Sequence, residues 1–161
     1  MLPEILAGDE AAIQISQKFP EAIVDGKNAP DGKVLYIDPK QIVAVCSWLK
    51  ENGNFEQLAG VTAVDWWPRT PRFEIVYLIH SYSRNTRVRL VVRAAEGEEV
   101  PTVTSVWRGA NWYEREVFDL FGVVFGGHPN MERIMMPADW EGHPLRKDYP
   151  VHGYKYSYPD E

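Results

Sequence analysis

Phe73-Glu74-Ile75-Val76-Tyr77-Leu78-Ile79-His80-Ser81-Tyr82 and Thr86-Arg87-Val88-Arg89-Leu90-Val91-Val92-Arg93-Ala94 are separated by Ser83-Arg84-Asn85. Both runs are rich in β-branched and aromatic residues, and the short polar linker joins them as a hairpin. The second run places Arg87, Arg89 and Arg93 on one side and Val88, Leu90 and Val92 on the other. One face of the sheet therefore meets a core and the other does not. A hairpin in mid-chain breaks strict alternation of strands and helices. It favours a two-layer α+β fold over a doubly wound α/β fold.

Upstream, Leu58 to Trp67 forms another strand, stopped by Pro68. Asp38-Pro39 starts a helix carrying Ile42, Val43, Val45, Cys46 and Leu49 at helical spacing, and Asn52-Gly53 ends it. Lys33 to Ile37 and Glu21 to Asp25 are strands, with Gly26 to Gly32 as the turn between them. A helical stripe lies between Pro3 and Phe19. Downstream, Thr102 to Trp107 is a short strand or loop, and Asn111 to Gly122 is a helix. The order α-β-β-α-β-β-β-α over residues 1–127 predicts one α+β domain, a two-layer α/β sandwich with a mixed sheet of about five strands. Residues 128–161 lack periodicity and hold five of the twelve prolines and four of the eight tyrosines. They are expected to form an extended C-terminal arm without its own core.

The chain's 161 residues suffice for one domain with a real core. A net charge of −6 argues against nucleic acid as the main partner. The single cysteine, Cys46, excludes an internal disulfide framework and a Cys-rich zinc or iron–sulfur site built by this chain, and suits a reducing compartment. The N-terminus has no long apolar run and is expected to carry no signal peptide. No segment reaches the ~20 apolar residues of a bilayer span. Cys46, on an apolar helix face, is expected to be a buried small hydrophobe. Arg69, Arg72, Arg84, Arg87, Arg89 and Arg93 oppose the lone Glu74 around the hairpin. Such a face can be solvated, can dock an acidic protein, or can hold nucleic acid.

The segment Asn111-Trp112-Tyr113-Glu114-Arg115-Glu116-Val117-Phe118-Asp119-Leu120-Phe121-Gly122 is the densest in chemistry. Asn111 and Glu114 have the spacing of a capping box, and Gly122 suits the left-handed position after a helix. Arg115 and Asp119 are spaced to pair. Two Gly-His-Pro triplets follow, at His128 and His143. A stand-alone metal-dependent enzyme would use Glu116, Asp119, His128 and His143. The histidines, however, lack His-x-x-x-His or Glu-x-x-His spacing. The alternative is an interface, because Met131, Ile134, Met135, Met136 and Trp140 need a surface to lie on.

Glu114-Arg115-Glu116-Val117-Phe118-Asp119-Leu120-Phe121-Gly122, Gly127-His128-Pro129, Arg133-Ile134 and Gly142-His143-Pro144-Leu145-Arg146-Lys147-Asp148-Tyr149-Pro150 resemble the signature of one family of NADH:quinone oxidoreductase subunits, the iron–sulfur-protein-3 type of respiratory complex I. The resemblance implies a structural subunit of the hydrophilic arm, with no cofactor of its own. Flavin (FMN), iron–sulfur clusters and quinone would sit on partner subunits. It implies a hetero-oligomer in which the arm packs on the large quinone-site subunit and its iron–sulfur neighbours. The location would be the cytoplasmic side of the inner membrane, without a direct membrane span. Complex-level activity is expected, proton-translocating electron transfer from NADH to quinone, with the isolated chain inactive. An equivalent subunit of a membrane-bound hydrogenase-type complex is the related alternative. Glu114, Arg115, Glu116, Asp119, His128, Arg133, His143, Arg146 and Asp148 carry over as signature residues of the helix–arm junction.

Overall fold

The computed structural model describes residues 2–30 and 32–153. After a short 3-10 turn at Glu4–Leu6, helix α1 spans Glu10–Lys18. Asp9 caps it, accepting a hydrogen bond from the Ala12 N–H at 2.8 Å. Strands β1 (Ile23–Ala29) and β2 (Gly32–Ile37) follow. Asp38 caps the 3-10 turn Pro39–Gln41 that leads into α2 (Ile42–Glu51). The chain then forms β3 (Gln57–Asp65), β4 (Phe73–Ser81) and β5 (Thr86–Ala94). A short strand β6 (Val100–Pro101), helix α3 (Ala110–Phe121) and strand β7 (Phe125–Gly126) complete the body.

The main sheet has the order β1-β2-β5-β4-β3. Neighbours are antiparallel except β2 and β5, which run parallel, so the sheet is mixed as expected. Alternate residues such as Val61, Ile75, Tyr77, Ile79, Val88, Leu90 and Val92 point into one core, and the buried residues of α1, α2 and α3 fill it from the same side. This is a two-layer sandwich with one sheet face covered. Helix α2 buries Ile42, Val45, Cys46 and Leu49 completely. Burial of each large apolar side chain contributes ~1.5–3 kcal/mol. Burial also pushes the Cys46 thiol far up, which leaves it inert.

One local expectation is corrected. Gly26 is not a turn residue. It lies inside β1, where a Cβ would come within 2.6 Å of the Leu6 side chain. Its glycine provides close packing for Leu6. Of the two readings for Thr102 to Trp107 the structure takes the loop; the short strand here is Val100–Pro101, paired in parallel with Phe125–Gly126. That small two-stranded sheet brackets α3, tying the chain just before the helix to the chain just after it.

Candidate functional site

Helix α3 carries two fully buried carboxylates, Glu114 and Asp119. Glu114 lies among core residues and accepts hydrogen bonds from the Val103 N–H (2.8 Å) and the Thr102 hydroxyl (2.5 Å). It therefore anchors the loop that precedes the helix. Asn111 forms no capping box with it. The cap position is Gly109, without a side-chain bond, and Asn111 is already inside the helix. Glu114 faces inward because the core lies on that side of α3.

His128 approaches Glu114, with Nε2 3.9 Å from Oε2, and both side chains are shut off from solvent. The Asn130 N–H donates to His128 Nδ1 at 3.0 Å. The ring proton is then on Nε2, facing the Asn111 carbonyl at 3.3 Å. Burial lowers the His128 pKa, and the nearby Arg115 adds to this. Burial pushes the Glu114 carboxyl up to about 7, against the pull of its Thr102 and Val103 bonds.

Asp119 occupies the opposite situation. One oxygen takes the Arg133 guanidinium at 2.6 Å, and the other accepts three successive backbone N–H groups, Ile134 (2.9 Å), Met135 (2.7 Å) and Met136 (2.8 Å). Three adjacent N–H groups aimed at one oxygen form an anion nest. Burial opposes the charge, but these bonds outweigh it and hold the carboxyl below the usual range. The expected Arg115–Asp119 pair does not form. Arg115 reaches instead to the carbonyls of Glu132 (3.0 Å) and Arg133 (3.3 Å) and lies over the Trp112 ring.

The arm also closes the C-terminal end of the helix. The last carbonyls of a helix have no partner within it. Here Phe118 accepts from the Gly122 N–H, Asp119 from His143 Nδ1 (2.9 Å) and Arg133, Leu120 from the Leu145 N–H (3.0 Å), and Phe121 from Arg146 Nε (2.6 Å). Gly122 has the expected left-handed backbone, φ 76°. A Cβ there would lie 2.5–2.7 Å from Arg146 and His143. Burial and the flanking Arg146 and Arg133 lower the His143 pKa, although its bond to the Asp119 carbonyl opposes this.

A second anchor lies at the end of β3. Arg72 forks onto Asp65 at 2.8 and 2.9 Å, and also binds Asp148 (2.5 and 3.0 Å) and Glu96 (2.9 Å). The Lys147 and Trp67 N–H groups complete Asp65, each at 2.9 Å. Burial works against its charge, but the Arg72 fork and the two N–H groups hold its carboxyl at about 2. Arg146 joins the same network through Glu96 at 2.8 Å. Asp65, Glu96 and Thr102 are not sequence candidates, and Arg72 figures there only among the arginines around the hairpin. A signal exists for Asp65, since it continues the core-facing parity of Val61 and Ala63.

The structure thus brings Asp119, Arg133, His143 and Arg146 together, links Asp148 to Arg72, and sets Glu114 beside His128. It does not bring Glu116 to them; Glu116 faces solvent. The four-residue metal site built on Glu116 is therefore not formed. Among the described residues, no group of three or more His, Cys, Asp or Glu can hold a metal. Asp119 and His143 are both committed to bonds that fasten the arm. The arm's inner, polar side is fixed to its own body, while Trp112, Met135 and Leu145 leave 52–60% of their surface exposed. Residues 154–161 of the arm lie outside the described residues.

Residues 35–155 match the family described as respiratory-chain NADH dehydrogenase, 30 Kd subunit. An NADH-quinone oxidoreductase subunit of Geotalea uraniireducens is 41% identical over 153 residues, 94% of this chain and 93% of that protein. The mitochondrial NADH-ubiquinone oxidoreductase 30.4 kDa subunit of Neurospora crassa is 47% identical over 126 residues, 77% of this chain and 44% of that one. Among solved structures, a chain of the membrane-bound sulfane sulfur reductase, an archaeal respiratory membrane complex, aligns with TM-score 0.75 and 31% identity over 90% of this chain and 86% of its own. With these matches over most of its length, and with the junction residues in place, the chain belongs to the family of the respiratory-chain NADH dehydrogenase 30 kDa subunit.

Proposed function

We propose that this chain is a cofactor-free scaffolding subunit of a proton-translocating NADH:quinone oxidoreductase. It holds the quinone-site subunit and its iron–sulfur neighbours in register for electron transfer. It lies on the cytoplasmic side of the inner membrane, peripheral through the complex; among the described residues no helix is long and apolar enough to cross a membrane. The carrying observation is the division of labour across helix α3 and the arm. Buried Asp119 and Asp65 fasten it through Arg133 and Arg72, and Trp112, Met135 and Leu145 remain outward. Aromatic and methionine side chains on a rigid support are what an interface core uses. The likeness to a chain of the sulfane sulfur reductase favours a second reading, the same scaffold in a membrane complex with another electron partner.

The test is to tag the chain in its host and purify it from detergent-solubilised membranes. Co-purification with flavin- and iron–sulfur-bearing subunits is expected, with NADH:quinone activity in the complex and none in the isolated chain. Turnover by the isolated chain, or recovery of the chain alone from membranes, would sink the proposal. A complex lacking flavin and inactive with NADH would select the second reading.

A further inference from the structure

The uncovered face of the sheet holds a groove of about 310 Å³, bordered by Lys33, Ala59, Leu78, His80, Arg87 and Arg89. No carboxylate lines it among the described residues. This is notable in a chain of net charge −6. The floor is apolar: Leu78 is 39% exposed on a face where the neighbouring Val34, Tyr36 and Val91 are nearly covered. Leu78 stands open because the residue opposite it in register is Gly60. The ladder shifts register between Leu58 and Gly60, so the glycine sits at a bulge. Gly60 has no positive φ, and a Cβ at that position would meet nothing within 4 Å. Beyond the bulge, the missing side chain leaves open space over Leu78, which gives room for another molecule's approach. On its other sides the notch meets Arg89, opposite Leu78, and Arg87, opposite His80.

We propose that this groove docks an acidic polypeptide segment of another subunit in the same assembly, one apolar side chain seated on Leu78 and its flanking carboxylates on the Arg87 side. This rests on the multi-subunit reading above. A cationic wall around an apolar floor selects a mixed ligand, since carboxylates alone gain little at an exposed arginine and an apolar anchor alone ignores the wall.

The test uses the tagged chain expressed in place of the native one, with co-migration in solubilised membranes as the readout. Gly60→Val fills the notch with a residue that strands favour and should fold as the parent does. It should lower the assembled fraction about tenfold while circular dichroism and thermal melting stay unchanged. Arg87→Glu should lower it similarly at low salt, with the gap to the parent narrowing as salt rises. Benzoylphenylalanine at Leu78 should crosslink on illumination to an Asp/Glu-rich segment of another subunit. Full assembly of both variants, or a crosslink to a second copy of this chain or to nucleic acid, would overturn the proposal. If the parent chain itself fails to co-migrate, the multi-subunit reading falls first, so the two failures are distinguishable.

Discussion

Glu114 and Asp119 lie five residues apart on one helix, and both are fully buried. Their carboxyls are nevertheless driven in opposite directions, Glu114 up to about 7 and Asp119 below the ordinary range. Burial is common to both and raises both. The difference is the number and charge of donors: one hydroxyl and one N–H for Glu114, against an arginine and three N–H groups for Asp119. Burial alone therefore does not say whether a carboxylate in a core is charged; its donors do. Glu114 belongs to the body, tying a loop to the core. Asp119 belongs to the joint, and its charge organises the arm.

The strongest way to break the contrast is Asp119→Ala. It removes the acceptor from Arg133 and from three N–H groups at once. Loss of one partner from a buried pair costs about 3–5 kcal/mol, which should show in urea denaturation as a lowered midpoint and in proteolysis as faster cleavage beyond residue 128. Retained stability would mean that the arm does not depend on this anchor.

Glu114→Gln should act with the opposite sign. The unfolded glutamate titrates near ~4.3 and the folded one at about 7. Between those values only the unfolded state ionises, so the parent loses stability as pH rises and levels off above about 7. The amide removes that loss. It should match the parent near pH 4 and exceed it above pH 7 by up to about 4 kcal/mol, at ~1.4 kcal/mol per pH unit. Asp119 contributes in the opposite sense: its stabilisation is present above the unfolded value and lost as pH falls through the lower, folded one. Denaturation curves at pH 4, 6 and 8 decide the point. A variant less stable than the parent at pH 8 would show that the Glu114 charge is needed.

The smallest effect is expected at Glu116, which faces solvent between the two buried acids. Glu116→Gln should change the melting midpoint by no more than about 0.5 kcal/mol equivalent. A loss of assembly with unchanged stability would place Glu116 at a partner surface.

Much of the body was legible because its signals are local. The hairpin at Ser83-Arg84-Asn85, the Asp38-Pro39 helix start and the Gly122 stop all depend on neighbours within a few residues, and all three are present in the structure. Gly26 reads as a turn residue because its actual reason is Leu6, twenty residues away and invisible to turn chemistry. The capping-box spacing of Asn111 and Glu114 misleads for a related reason: the core claims Glu114, and Thr102 and Val103 satisfy it. At the junction, the residue types and their family pattern mark Asp119, Arg133, His143 and Arg146. Their pairing was not legible, and neither was the Asp65–Arg72 anchor, because its partner Asp148 is 76 positions from Arg72.

The sequence by itself determined the order of elements, the mixed two-layer architecture and the family, since periodicity, turn residues and motif spacing are short-range properties of the chain. Only the tertiary structure decided which acid is charged, which arginine it holds, and that the arm's inner side is bonded to its own body. Those outcomes depend on which donors converge at a buried oxygen, and convergence across tens of residues follows from packing rather than from spacing.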